Sequence, residues 1–166
     1  YVGLNPYMKV KYYSGKTTIS LDKNIELKDN PLDVLDSIFK EYQTPSHPIF
    51  PFTKGAIGYL SYDLKNILEV LPEKSKKDIT LPDLYFVFYK TFLIFDNTKP
   101  NEIYLSSIET TQPTLGNIEF SEEDIIKMAS NPWNVETSDV GKINTKIISN
   151  MTKNEYMQAV EKVLEY

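Results

Sequence analysis

A single histidine, His47, limits the chemistry open to this chain. One imidazole cannot supply a histidine pair, a Ser-His-Asp triad or a multi-histidine metal site. His47 lies between Ser46 and Pro48 and reads as an ordinary loop residue, because a general base needs partners that the sequence does not show. Cysteine is absent, which removes disulfides, thiolate zinc sites and cysteine nucleophiles together. Carboxylates stand alone at Asp22 and Asp29 and crowd together at Glu122, Glu123 and Asp124. The crowded ones open a helix, where the helix dipole favours negative charge, so a magnesium role for them has little support. Gly55 and Gly58 bracket two small apolar residues but lack the third glycine and following lysine of a phosphate loop. They read as sites of close backbone approach or unusual dihedrals in a packed sheet. Tyr59 and Tyr62 fit half-buried strand packing better than a pocket lining. From the residues alone, the catalytic and metal sites are both read as none.

The elements that must position these residues follow from periodicity. Residues 7–13 and 16–21 are strand-like runs separated by Ser14-Gly15, which reads as a β-hairpin. Pro31 is a good first helical residue after Asp29 and Asn30, and Leu32, Leu35, Ile38, Phe39 and Tyr42 follow at helical spacing. That predicts a helix over 31–43 with a solvated face of Asp33, Asp36, Lys40 and Glu41. Prolines at 45, 48 and 51 make 44–54 a loop. A strand is expected over 55–62, then a short helix from Leu64 to Leu71 capped by Asp63 and stopped by Pro72. Glu73 to Asp78 reads as an exposed charged loop. Leu84 to Phe95 reads as one long strand, or two joined by a bulge at Lys90-Thr91, with a partner over 102–108. Ser121 with Asp124 predicts a capped helix over 121–129, and Thr152 with Glu155 a second one carrying Tyr156, Ala159, Val160, Val163 and Leu164 on one face. A linker is expected over 133–142 and a short strand over 143–148.

A chain of 166 residues can bury one good core, or one domain plus part of another. Twelve Tyr and eight Phe against one Trp suit a β-rich core. The net charge of −5, with both signs interspersed, provides no basic patch and argues against nucleic acid as a partner. The longest apolar runs are too short to cross a bilayer and no signal peptide pattern is visible. The expectation is no membrane and a cytoplasmic location. The start at Tyr1 and the close inside a helix pattern at Tyr166 lead us to expect a piece of a longer polypeptide. The fold class expected is α+β: antiparallel sheets packed face to face with peripheral helices.

Several blocks, in order, resemble one enzyme family. YVGLNP, Tyr1 to Pro6, is similar to an "SFLGxNP" block without its serine. FTKGAIGYLSYDL, Phe52 to Leu64, resembles "FxGGxxGYxxYD", and Glu69 with Leu71-Pro72 matches a following "E-x-L-P". LPDLYFVFYKTFLIFDN, Leu81 to Asn97, resembles "PDxxFxxYDxxxVFDH". SNMTKNEYMQAVEKVLEY, Ser149 to Tyr166, looks like the opening of a chorismate-binding catalytic domain. These are blocks of the chorismate-utilising synthases, component I of aminodeoxychorismate (para-aminobenzoate) synthase and of anthranilate synthase. Lys54, Lys90 and Asn97 depart from the pattern, where the family has Gly, Asp and often His. Ser61 to Leu64 and the last block look closer to the para-aminobenzoate branch.

The resemblance implies an N-terminal domain over 1–148 of an anthranilate synthase component I type fold, with 149–166 the first helix of the catalytic domain. It implies a parent enzyme that aminates chorismate on the route to folate, with magnesium and with ammonia from a glutamine amidotransferase partner. The catalytic and magnesium residues would lie outside this chain, which alone would be inactive. Its role would be to brace the catalytic domain and to help form an effector or structural tryptophan pocket, to which only Tyr1 is assigned. Two other readings stand beside it: an anthranilate synthase fragment, and a stand-alone module binding an aromatic ligand such as tryptophan. A purely structural domain is what remains if all fail.

Overall fold

A computed structural model describes residues 1–72, 79–131 and 148–166. The chain divides into two compact units, Tyr1–Asn131 and Pro132–Tyr166. The first is built on two twelve-residue strands, β1 (Val2–Tyr13) and β5 (Leu84–Phe95). Both are rich in aromatic and β-branched residues, which suit a pleated, half-buried surface. They pair antiparallel from Val2 opposite Leu93 to Tyr12 opposite Leu84. β1 turns at Ser14-Gly15, both at positive φ (50° and 78°), into β2 (Lys16–Ser20). Two left-handed residues match the twist of a tight hairpin. β2 in turn pairs β3 (Asn24–Leu27).

On its other edge β5 is shared. Its first half pairs β4 (Ala56–Leu60) and its second half pairs β6 (Ile103–Ser107). The sheet order is therefore β3-β2-β1-β5-β4, with β6 beside β5. Met8 and Val10 stand opposite Phe88 and Phe86 and form the core with Tyr7 and Leu84. Helix α1 (Pro31–Glu41) adds Leu35 and Ile38 to it. Its start is fixed by the Asn30 side chain, which accepts from the Leu32 N–H, and by Pro31 at the first helical position. Burying a side chain the size of Phe88 or Leu84 contributes about 1.5–3 kcal/mol.

Asn5 ties a distant segment to this frame. It is buried, with φ 54°, in the left-handed region that Asn tolerates better than most residues. Its Nδ2 donates to the Phe120 carbonyl at 2.7 Å and its Oδ1 accepts from the Phe120 N–H at 2.8 Å. The next carbonyl, of Pro6, accepts from Leu115 N–H. Phe120 immediately precedes α2 (Glu122–Ser130), whose capping box of Ser121 and Asp124 is present and whose Ile125 is buried. A side-chain amide thus replaces a strand partner.

The α+β class with antiparallel strands and peripheral helices is as expected. The described strands nevertheless form one hydrogen-bonded sheet and not two facing ones, because β5 is long enough to carry both β4 and β6 on one edge. β1 begins at residue 2, not 7, and β3 was not anticipated; it is mostly exposed and, at four residues, too short for its polar-apolar alternation to stand out. The pairing irregularity falls on β1 between Pro6 and Met8, not at Lys90-Thr91, since Pro6 has no N–H to donate. The helix expected over 64–71 is a 3-10 helix, Tyr62–Ile67, without a side-chain cap; Asp63 lies 3.3 Å from Lys65 instead. The loop at 73–78, the linker at 133–142 and residues 143–147 of the expected strand lie outside the described residues. In the second unit, α3 (Lys153–Leu164) has the expected capping box of Thr152 and Glu155 and no buried residue.

Two outcomes follow. Asn5→Ala should cost about 2–4 kcal/mol in urea denaturation, because it leaves both Phe120 backbone groups unpaired and puts Ala in a left-handed conformation. Burial, and then Tyr42, raise the Tyr7 phenol, and burial, and then Tyr85, raise that of Tyr89, above the ordinary value near 10. A folded state that holds these protons more tightly contributes stability in full below about pH 10 and loses it as pH rises through the raised values. Urea midpoints measured from pH 8 to 11 should therefore fall, and Tyr7→Phe should flatten the fall.

Candidate functional site

The block from Phe52 to Leu64 proves to be joinery. A Cβ built on Gly58 would stand 2.1 Å from the Tyr85 carbonyl oxygen and 2.7 Å from Phe86 Cα. β4 therefore lies against β5 only because this residue has no side chain. Gly55, at φ 130°, sets the backbone entering β4. Beyond the strand, Ser61 is fastened twice to Asp83: its N–H donates to the Asp83 carbonyl at 2.8 Å and its hydroxyl to the Asp83 carboxylate at 2.9 Å. Asp83 N–H donates in turn to the Tyr12 carbonyl. Tyr59 stacks on Tyr85 with ring centroids 6.2 Å apart, and Tyr62 is exposed under the Lys65 ammonium. Tyr59 packs on an edge strand as expected, whereas Tyr62 lies outside the strand, in the 3-10 helix, and is 83% exposed.

Tyr1, the one residue assigned to an effector, stands beside a cleft of about 360 Å³ between the 49–51 loop and the end of β5. Its ring meets Phe52 edge-on at 5.4 Å, and Phe52 meets Phe92 at 5.0 Å. His47 shapes this loop: its Nδ1 accepts from the N–H groups of Ile49 and Phe50, both at 3.2 Å, and its ring stacks on Phe50. That is a structural role for the lone imidazole. Among the described residues, the one charged side chain lining the cleft is Asp96. The hydroxyl and the backbone N–H of Thr98 both donate to its carboxylate and hold it below the usual carboxylate range. The cleft can receive an apolar or aromatic group, and among the described residues its walls carry no nucleophile or acid–base pair.

The remaining candidates are scattered. Asp22 accepts from the Lys23 N–H, and Asp124 is occupied by its cap, where Ser121 lowers its carboxyl. No three His, Asp or Glu side chains among the described residues converge as a metal site. Lys90, where the resembled pattern has Asp, is largely buried and paired with Glu119 at 2.6 Å, which holds the Glu119 carboxyl down. Asn5 was missed as an organising residue. Its signal was the Asn-Pro pair itself, a combination that favours turns over uninterrupted strand. No described helix is long and apolar enough to cross a membrane.

With this geometry in hand, similarity to known proteins can be read. The sequence profile described as "chorismate binding enzyme" matches residues 1–166. The chain belongs to that family. It is 27% identical to anthranilate synthase component 1 of Lactococcus lactis over 168 residues, covering 99% of this chain and 36% of that protein. It is 30% identical to aminodeoxychorismate synthase component 1 of Escherichia coli over 158 residues, covering 92% of this chain and 32% of the relative. The Bacillus subtilis protein of the latter name is 27% identical, covering 99% and 35%. The chain thus spans about a third of the length of the curated relatives it matches. The crystal structure of anthranilate synthase component I from Streptococcus pneumoniae superposes with TM-score 0.68 at 21% identity, covering 98% of this chain and 36% of the other, and shows the shared fold.

Gly58→Ala tests the joinery. We expect a loss of about 3 kcal/mol or more, the scale of a backbone clash that no rotamer can relieve. Ile57→Ala, which trims a partly exposed side chain, should cost less than about half of that in the same denaturation experiment.

Proposed function

We propose that this chain is the N-terminal, non-catalytic part of a chorismate-aminating synthase, component I of aminodeoxychorismate synthase, serving para-aminobenzoate and folate formation in the cytoplasm. The observation that carries the reading is the family match over the whole chain, to relatives named for this chemistry. The choice of branch rests on Ser61 to Leu64 and on the block Ser149 to Tyr166. The anthranilate branch is the second reading, favoured by relatives of that name at similar identity.

On this reading the parent takes chorismate, magnesium and ammonia supplied by a glutamine amidotransferase subunit, and performs a transferase- or lyase-type amination. The described residues converge no metal-binding set, so no step through magnesium is placed on them. Their contribution is mechanical: a rigid sheet on which the catalytic part rests. Tyr1 and its aromatic cleft would contribute a contact for an effector such as tryptophan.

The test is to express the natural reading frame containing this stretch, supply chorismate, magnesium and ammonium, and identify the product by mass spectrometry. Aminodeoxychorismate is expected, chelation of magnesium should abolish it, and the 166-residue chain alone should leave chorismate untouched. Anthranilate as product would move the protein to the second reading. Untouched chorismate with folded full-length protein would sink both.

A further inference from the structure

The sheet ends on β4, and the outer edge of that strand is open. Tyr89 N–H donates to the Gly55 carbonyl and Ser61 N–H to the Asp83 carbonyl. These bonds bracket the antiparallel register that runs from Ala56 opposite Phe88 to Leu60 opposite Leu84. Hydrogen-bonded pairs alternate along an antiparallel ladder, so residues 55, 57, 59 and 61 bond inward to β5. Ala56, Gly58 and Leu60 therefore turn their N–H and C=O groups outward, where no described residue bonds them. Gly58 is exposed, and Ile57, Tyr59 and Leu60 are 40%, 39% and 52% exposed. An edge of unpaired backbone groups beside open apolar side chains is a template for another strand.

Charge separates this edge from those of β3 and β6. Residues 55–62 carry none, whereas β3 holds Glu26 and lies between Lys23 and Lys28, charges of the kind that guard an edge. β6 lies between Glu102 and Glu109, so an antiparallel copy would set acid against acid. β4 lies between Lys54 and Asp63, of opposite sign, and an antiparallel copy sets each against the other. The strand is also self-complementary about Gly58. A second β4 turned about a twofold axis there puts Gly58 against Gly58, Ala56 against Leu60, and Ile57 against Tyr59 at the closer, non-hydrogen-bonded spacing. A β-branched side chain across from an aromatic one is a favourable cross-strand pair. Lys54 then stands beside Tyr62 and Asp63 of the other copy. Asp63 already has Lys65 at 3.3 Å, so this exposed contact steers the pairing more than it strengthens it.

We propose that this chain self-associates through β4, two copies pairing antiparallel about Gly58 into one continuous sheet. The contact is short, five residues a side, so the dimer is a weak one of the small, transient class. It goes beyond the amination reading, since it needs neither chorismate, magnesium nor the effector contact at Tyr1.

The test is sedimentation equilibrium of the whole chain from about 10 μM to about 1 mM, with amide exchange followed by NMR at both ends of that range. A dimer with Kd on the order of 0.1 mM is expected. The amides of Gly58 and Leu60 should exchange freely in the dilute sample and slow several-fold in the concentrated one. Those of Ile57 and Tyr59, bonded to β5, should be slow in both. Ile57→Lys should raise Kd at least about tenfold, because two like charges then flank the axis. Lys54→Glu, at an exposed position before the strand, should raise it about three- to tenfold, the scale of losing two exposed ion pairs. Ile25→Lys, on the β3 edge, should leave it unchanged. The proposal is overturned by a monomer at about 1 mM, or by a dimer whose Gly58 and Leu60 amides are no slower than in the dilute sample. It is equally overturned by unchanged affinity in Ile57→Lys or Lys54→Glu, or by dissociation in Ile25→Lys.

Discussion

Everything in the first unit depends on β5 being bonded along both of its edges. One edge takes β1 over almost its full length; the other is divided between β4 and β6. The closest of these joints is backbone against side-chain-free backbone at Gly58, where any Cβ would meet the Tyr85 carbonyl at 2.1 Å. A similar economy appears at Gly3, where a Cβ would enter the Tyr89 ring. Two missing side chains let a long aromatic strand lie flush between its neighbours. Hydrogen bonding along both edges then leaves few of its polar groups to satisfy, so its burial costs little beyond chain entropy.

From that strand the other parts follow. The rings of Phe86 and Phe88 give α1 its seat through Phe39, and Phe92 gives Phe52 its contact and hence anchors the loop before β4. Asn5, on β1 opposite the second half of β5, extends the frame to α2 by bonding the backbone of Phe120. The family's ordered blocks thus coincide with joints: Asn5-Pro6 with the hook to residues 115–120, Gly58 with the β4 contact, and Ser61 with Asp83. The blocks specify how strands are fastened together.

Much of this was legible beforehand. Ser14-Gly15, Pro31 after Asn30, and the Ser121–Asp124 and Thr152–Glu155 pairs mark local geometry through local chemistry, so the turn and the three helix starts could be read directly. The glycines of Gly55-Ala56-Ile57-Gly58 announced close approach without saying to what. What stayed hidden was non-local. Whether β4 and β6 form a second sheet or share one edge of β5 depends on strand register, which periodicity along one segment does not encode. The pairing of Asn5 with Phe120 spans 115 residues, and the Asn5-Pro6 pair marks a break in the strand without naming that partner.

The most direct test of this account is native-state hydrogen exchange on the chain, resolved by residue. If β5 is the axis, its amides and those of β1 facing it should form the slowest class and exchange together, near the free energy of global unfolding. Amides of β3 at the far edge should exchange faster. If β5 amides exchange as quickly as those of β3 while α1 stays protected, the sheet is not the frame on which the rest depends, and the account is wrong.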